Sequence, residues 1–186
     1  MRRFLGAACV AFCLLGRHAA ADVDHAIGGA FSSGAQDVFD FYDEAIPNSE
    51  VTGIPVGVSY RSIFQLPAGL RIDLWAGPIV LVFGDVSYLD LPVSGTVGWN
   101  FHESGNANPY VRVGVIGHVI DGDLTDDSSA SGLLGAVGLE FMKQRKVHVF
   151  VEVAHDTSEI EFDDGFGVRK VDALGTLLTV GAVLAF

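Results

Sequence analysis

Val147-His148-Val149-Phe150-Val151-Glu152-Val153-Ala154 places Val at every second position, with His, Phe, Glu and Ala between. Successive side chains of a strand point to opposite faces, so this stretch is a strand with one continuous apolar face and one mixed face. The plan recurs on either side of it. Val111-Arg112-Val113-Gly114-Val115-Ile116 alternates Val with Arg and Gly, and Leu70-Arg71-Ile72-Asp73-Leu74-Trp75 puts Arg71 and Asp73 on one face. Leu133, Val137, Leu139 and Phe141 share a face opposite Gly138 and Glu140. Eight such segments are expected, over about 24–34, 51–61, 69–77, 88–101, 109–120, 131–142, 147–157 and 173–186. Short turns at 62–68, 102–108 and 143–146 alternate with longer connections at 35–50, 78–87, 121–130 and 158–172. Helical periodicity is not seen, and neither a linker nor a second domain is expected.

Alternation alone does not say which face is dry. A soluble barrel turns its apolar face inward, whereas a membrane barrel turns it to lipid and keeps small or polar groups within. The 186 residues are 49% hydrophobic and only 18% charged, with 23 Gly. The non-apolar faces are mostly Gly, Ala and Ser, which is poor cover for a surface in water. Charge collects instead in the connections: Asp121, Asp123, Asp126 and Asp127 in one, Glu159, Glu161, Asp163 and Asp164 in another. A formal net charge of −12 argues against a nucleic-acid partner, which calls for a basic face.

The start of the chain reads as an address. Arg2-Arg3, an apolar run from Phe4 to Leu15 and the small residues Ala19-Ala20-Ala21 have the plan of a cleaved secretory signal peptide over 1–21, with Ala19 and Ala21 as the cleavage signal. The apolar run is too short to span a bilayer, which takes roughly 20 residues. Cleavage there removes Cys9 and Cys13, so the mature domain, 22–186, is expected to carry neither disulfide nor thiolate chemistry. It also removes Arg2, Arg3 and Arg17, leaving 8 basic against 23 acidic residues, a net charge of −15.

The last strand brings a resemblance. Thr176 to Phe186 ends on an aromatic, with Val180, Ala182 and Leu184 on the face that leads to Phe186. This resembles the closing strand of bacterial outer-membrane β-barrels. Asn108-Pro109-Tyr110-Val111-Arg112-Val113-Gly114-Val115 is similar to a strand of the small opacity-type, OmpA-like and OmpX-like barrels, and Gly57-Val58-Ser59-Tyr60-Arg61 resembles the end of their second strand. The resemblance implies an all-β fold, an eight-stranded antiparallel up-and-down transmembrane β-barrel in a Gram-negative outer membrane. It implies that Val180, Ala182, Leu184 and Phe186 are the signal read by the outer-membrane assembly machinery. Pro55 and Pro92 depart from the pattern, because each lacks the N–H a ladder needs. Pro55 is expected at a strand mouth, and Pro92 in a bulge or above the membrane. Tyr60, Trp99 and Phe101 are assigned to the periplasmic rim and Tyr88 to the outer one.

In that barrel Arg71, Asp73, Arg112, His118, Glu140, His148 and Glu152 face the lumen as a structural polar network. Eight strands enclose a space that side chains just fill, and charges held there must pair. Two other chemistries do not fit the residues. His155-Asp156-Thr157-Ser158 places His155 and Ser158 an odd number of residues apart, hence on opposite strand faces, unlike the Ser–His pair of lipid A deacylases. The loop from Asp121 to Asp127 lacks the Gly at position six and Glu at position twelve of an EF-hand, since Asp126 and Gly132 stand there. No catalytic residue, cofactor or dedicated metal site is therefore assigned. The expected role is structural or surface-interactive: a monomer whose partners are the bilayer, lipopolysaccharide and divalent cations at the acidic loops. A lipid-modifying enzyme, a narrow pore and a secreted soluble barrel with an apolar ligand are the competing readings.

Overall fold

In the computed structural model, residues 24–46, 56–83, 86–101, 106–125, 127–142, 145–163, 165 and 167–186 are described. The expected signal peptide with Ala19 and Ala21, both cysteines, Pro55, Asp126 and Asp164 lie outside them. In chain order the elements are β1 (Asp24–Ser33), α1 (Gln36–Ala45), β2 (Val56–Gln65), β3 (Leu70–Ala76), β4 (Ile79–Phe83), β5 (Val86–Asn100), β6 (Ala107–Gly122), β7 (Ser129–Phe141), β8 (Val147–Asp156), β9 (Glu159–Asp163), β10 (Val168–Asp172) and β11 (Thr176–Ala185). The wall runs β3-β2-β1-β11-β8-β7-β6-β5, every pair antiparallel, and closes through β3 on β5. Eight strands thus form an up-and-down barrel without a free edge in that cycle.

Burial alternates strictly along the long strands. On β8 the side chains of His148, Phe150, Glu152, Ala154 and Asp156 are buried, while Val147, Val151 and Val153 are exposed and Val149 half-buried. Outward-facing Phe31, Val58, Val97, Val113, Val115, Leu133, Val137 and Leu178 are all more than half exposed. An apolar belt of this extent is foreign to a water-soluble monomer, and hydrocarbon is the solvent that suits it. The barrel is a transmembrane barrel.

β5, β6 and β7 span 15, 16 and 13 residues, more than the 9–11 or so that cross a bilayer. Their excess rises at the long-connection end and supports a cap. There the structure corrects the sequence reading, because three connections expected to be loops hold regular elements. Residues 36–45 form α1, with Val38, Phe39, Phe41 and Tyr42 buried and Asp37, Asp40, Asp43 and Glu44 outward. Residues 79–83 form β4 on the upper part of β5, and β9 pairs with β10 as a hairpin.

Other boundaries move too. β2 runs on to Gln65, so the turn is Leu66 to Gly69, where Ala68 and Gly69 take positive φ of 63° and 82°. Pro92 lies within β5 with unbroken register to β6, so it is not in a bulge. Its carbonyl accepts from Gly77 N–H at 3.3 Å. A strand residue's N and O point to the same side, so the missing N–H faces the break between β3 and β4 and no ladder bond is lost. Tyr88 is fully buried under the cap and not at a rim, and Tyr60 pairs with Ala76 at the end of β3 away from the short turn. Trp99 and Phe101 do face outward at the short-turn end.

Candidate functional site in the barrel lumen

Small residues make the room. The three lumen arginines, Tyr110, Glu152 and Phe150 each have an inward-facing glycine as a cross-strand neighbour. Gly28 lies beside Arg61, and Gly98 beside both Arg71 and Arg112. Gly138 lies beside both Tyr110 and Glu152, and Gly181 beside Phe150. A Cβ on Gly138 would overlap the Tyr110 ring, so that position must remain bare for the phenol to reach across the lumen.

Three guanidinium groups and three carboxylates interlock there, a neutral set in formal charge. Arg112 donates side-on to Glu152, from Nε to Oε2 at 2.8 Å and from Nη2 to Oε1 at 2.6 Å. Arg61 Nη2 and Tyr110 Oη both donate to the same Oε2 at 2.8 Å, and Arg61 Nε reaches Asp73 at 3.2 Å. Arg71 grips Asp73 with two bonds of 2.8 and 2.9 Å and reaches Asn100 at 3.0 Å and Glu140 at 3.4 Å. Its guanidinium stacks 3.9 Å from the centre of the Tyr110 ring. Glu140 also holds His148 Nδ1 at 2.7 Å. Bidentate and shared contacts of this kind are the geometry that lets buried charges offset their desolvation.

Six of the seven lumen residues expected from sequence therefore meet in one cluster: Arg71, Asp73, Arg112, Glu140, His148 and Glu152. His118 does not join them. It stands nearer the cap, its Nδ1 2.8 Å from Asp90 and its Nε2 3.1 Å from Asp156. Asp156 Oδ1 in turn accepts from the backbone and hydroxyl of Ser158, at 2.9 and 2.7 Å, which ties down the root of the β9–β10 hairpin. Arg61, Tyr110, Asp90 and Asp156 were missed by the sequence reading. Arg61 falls two places after Ser59 on the same face, inside the segment expected over 51–61, so the alternation was enough to find it.

Above His118 the lumen is closed by apolar packing. Phe41, Tyr42, Tyr88 and Phe162 form an aromatic cluster with ring centres 4.7–6.0 Å apart. Burial pushes the Tyr42 phenol up to about 12, so it stays neutral in this cap. Ala35 N–H on Leu174 O at 3.0 Å and Asp163 N–H on Leu124 O at 3.0 Å lace α1 to the segment leading into β11 and the hairpin to the segment leaving β6. Between the ionic cluster and the cap a void of about 10 Å³ is lined by Trp75, Arg112, Leu134, Glu152, Ala154, Leu177 and Thr179. That is about the space of a single water.

The architecture now has counterparts among solved structures. The attachment invasion locus protein Ail of Yersinia pestis, in complex with the heparin analogue sucrose octasulfate, matches with a TM-score of 0.55 at 15% identity, over 89% of this chain and 100% of that one. The chain has the fold of the small outer-membrane β-barrels. Neisserial surface protein A matches this barrel with a TM-score of 0.52 at 14% identity, over 88% of this chain and 96% of that one. The outer membrane protein AlkL in lipid bilayers gives 0.52 at 13%, over 88% and 90%. No protein-family model matches the chain, and no curated protein is similar to it in sequence.

His155 faces outward beside Thr176 at 3.4 Å, while Ser158 is buried on Asp156. Of the closing strand, Val180, Ala182 and Leu184 face out with Phe186, whose N–H donates to His25 O at 2.8 Å. Asp123 Oδ2 accepts from Ser87 N–H at 2.7 Å and Asp127 Oδ2 from Glu161 N–H at 2.8 Å, so two acidic loop residues brace the backbone of the cap.

Proposed function

We propose that this chain is a monomeric bacterial outer-membrane protein, exported by its leader, with a structural or surface-interaction role and no catalysis. The observation that carries the reading is the filled lumen: a neutral ionic cluster in the middle, a His118–carboxylate tie above it and an aromatic cap on top. That arrangement stabilises a closed cylinder and leaves no path for solutes. Refolded protein in a planar bilayer is expected to give no stepwise conductance; discrete channel openings would favour the pore reading instead. The outward His155 and inward Ser158 are not placed to activate one another, which disfavours a deacylase. Release of fatty acid from lipid A by the purified protein would overturn that part.

The cap presents Asp37, Asp40, Asp43, Glu44, Asp121, Asp123, Glu159, Glu161 and Asp163 outward. Arg169 is taken up by Glu44 at 2.8 Å, and Lys170 lies between Glu159 and Glu161 at 3.6 and 3.5 Å. A surface of that sign favours cationic partners, and beside anionic lipopolysaccharide it needs divalent cations as bridges, since hard cations prefer carboxylate oxygens. In lipopolysaccharide-containing membranes, a chelator is expected to speed proteolysis of the segments around 121–127 and 159–164. An unchanged cleavage rate would remove the bridging. The outward face ending in Phe186 is proposed as the segment read by the assembly machinery.

A further inference from the structure

At the opposite end of the barrel, where β7 passes to β8, the described exposed charges have the other sign. Arg145 and Lys146 are exposed in the turn between β7 and β8, where the sequence is Lys143-Gln144-Arg145-Lys146. Among the described residues every other Lys or Arg has a carboxylate within 4 Å: Arg61, Arg71 and Arg112 in the lumen, Arg169 and Lys170 on the cap. Among those same described residues no such partner is found for Arg145 or Lys146. The turn is also held in place. Arg145 N–H donates to Met142 O at 2.8 Å, and Lys146 O accepts from Ala185 N–H at 2.7 Å, which fixes it beside the end of the chain.

Its surroundings set its depth. Phe141 and Met142 before the turn and Val147 after it are exposed and apolar, and so is Phe186 alongside. Two cations thus stand where the apolar belt stops, at the level of lipid headgroups. Side chains of this type lay their stems along the apolar rim and put the charge at the phosphate. The acidic cap does not cancel this. It lies beyond the apolar belt, about 25 Å tall in such barrels, against a Debye length of about 8 Å at physiological salt. We infer that Arg145 and Lys146 are a docking surface for anionic phospholipid headgroups of the leaflet on the short-turn side, and that they gather such lipids around one sector of an otherwise acidic protein.

Tryptophan quenching by brominated lipids tests this. Trp75 is buried in the lumen and Trp99 faces lipid on β5, so Trp99→Phe with Phe141→Trp moves the lipid-facing reporter beside the turn. The reporter is compared in phosphatidylcholine vesicles containing a minority of phosphatidylglycerol, with the bromines carried by the same mole fraction of one lipid or the other. The expected result is stronger quenching by brominated phosphatidylglycerol, on the scale of about five-fold local enrichment per cation. The excess should vanish in Arg145→Gln with Lys146→Gln, and in the unmutated turn at high salt. The native reporter at Trp99, on a different sector, should show no preference. Equal quenching by the two lipids at position 141 would overturn the inference, as would an excess that survives the double variant while its heat-modifiable gel band shows it folded. The inference rests on membrane insertion, and no quenching by either lipid would sink both together.

Discussion

Replacing Glu152 with Gln is expected to cost about 3–5 kcal/mol of barrel stability, because it leaves guanidinium groups buried without their counter-charge. Glu152 is the hub: two arginines and a tyrosine converge on its oxygens, three of them on Oε2. The amide keeps the shape and one acceptor but turns the other contact into a donor facing a donor. Unfolding in guanidinium, read by loss of the heat-modifiable gel shift, measures the change. The companion double variant, Arg112→Leu with Glu152→Leu, should recover part of the loss, since an apolar pair carries no desolvation cost. A cycle of the singles and the double should give a coupling of roughly 0.5–3 kcal/mol. Additive losses would mean the two residues are neighbours without being partners, and the lumen cluster would lose its role as the stabilising plug.

How far the sequence already contained this can be judged residue by residue. The facing of Val147 to Ala154 was legible because a lipid face and a lumen face alternate with every residue, so one register satisfies the whole strand. The closed barrel followed from repetition of that plan. The cap was not legible for a different reason. Glu159-Ile160-Glu161-Phe162-Asp163 alternates as strictly as any wall strand, but its outward residues are acids in water, and an acidic stretch reads as a loop. In α1 the pairs Val38-Phe39 and Phe41-Tyr42 recur at helical spacing, yet over only ten residues and among four exposed acids. Membership of the lumen could be read strand by strand; partnership could not. His118 finds Asp90 and Asp156 at separations of 28 and 38 residues, and those distances mean nothing until strand order and shear are known. The inward glycines are the exception: their positions opposite Arg61, Arg112, Tyr110 and Phe150 state in advance where large side chains fit.

Val113→Arg is expected to destabilise the barrel by about 2–4 kcal/mol, the cost of a guanidinium on the lipid face near mid-bilayer. Val113 is 63% exposed and pairs with Val97 and Gly135, so nothing in the wall is there to take the charge. The comparison that gives this change its meaning lies one residue away. Arg112 carries the same group on the same strand, 5% exposed, and is held by Glu152 and Thr96. The backbone, the strand and the depth are nearly shared, and only the face differs. Composition and β-propensity therefore drop out, leaving the facing itself as the variable. Strand slippage is no escape, because moving β6 by one residue would bring Val113 inward at the cost of turning Arg112, Ile116 and His118 out to hydrocarbon. The measurement is the unfolding midpoint in lipid vesicles against the parent protein and against Val113→Ala, which removes apolar contact without adding charge. A Val113→Arg barrel as stable as the Ala variant would mean that this face of β6 meets water, and the placement of this belt in hydrocarbon would fall.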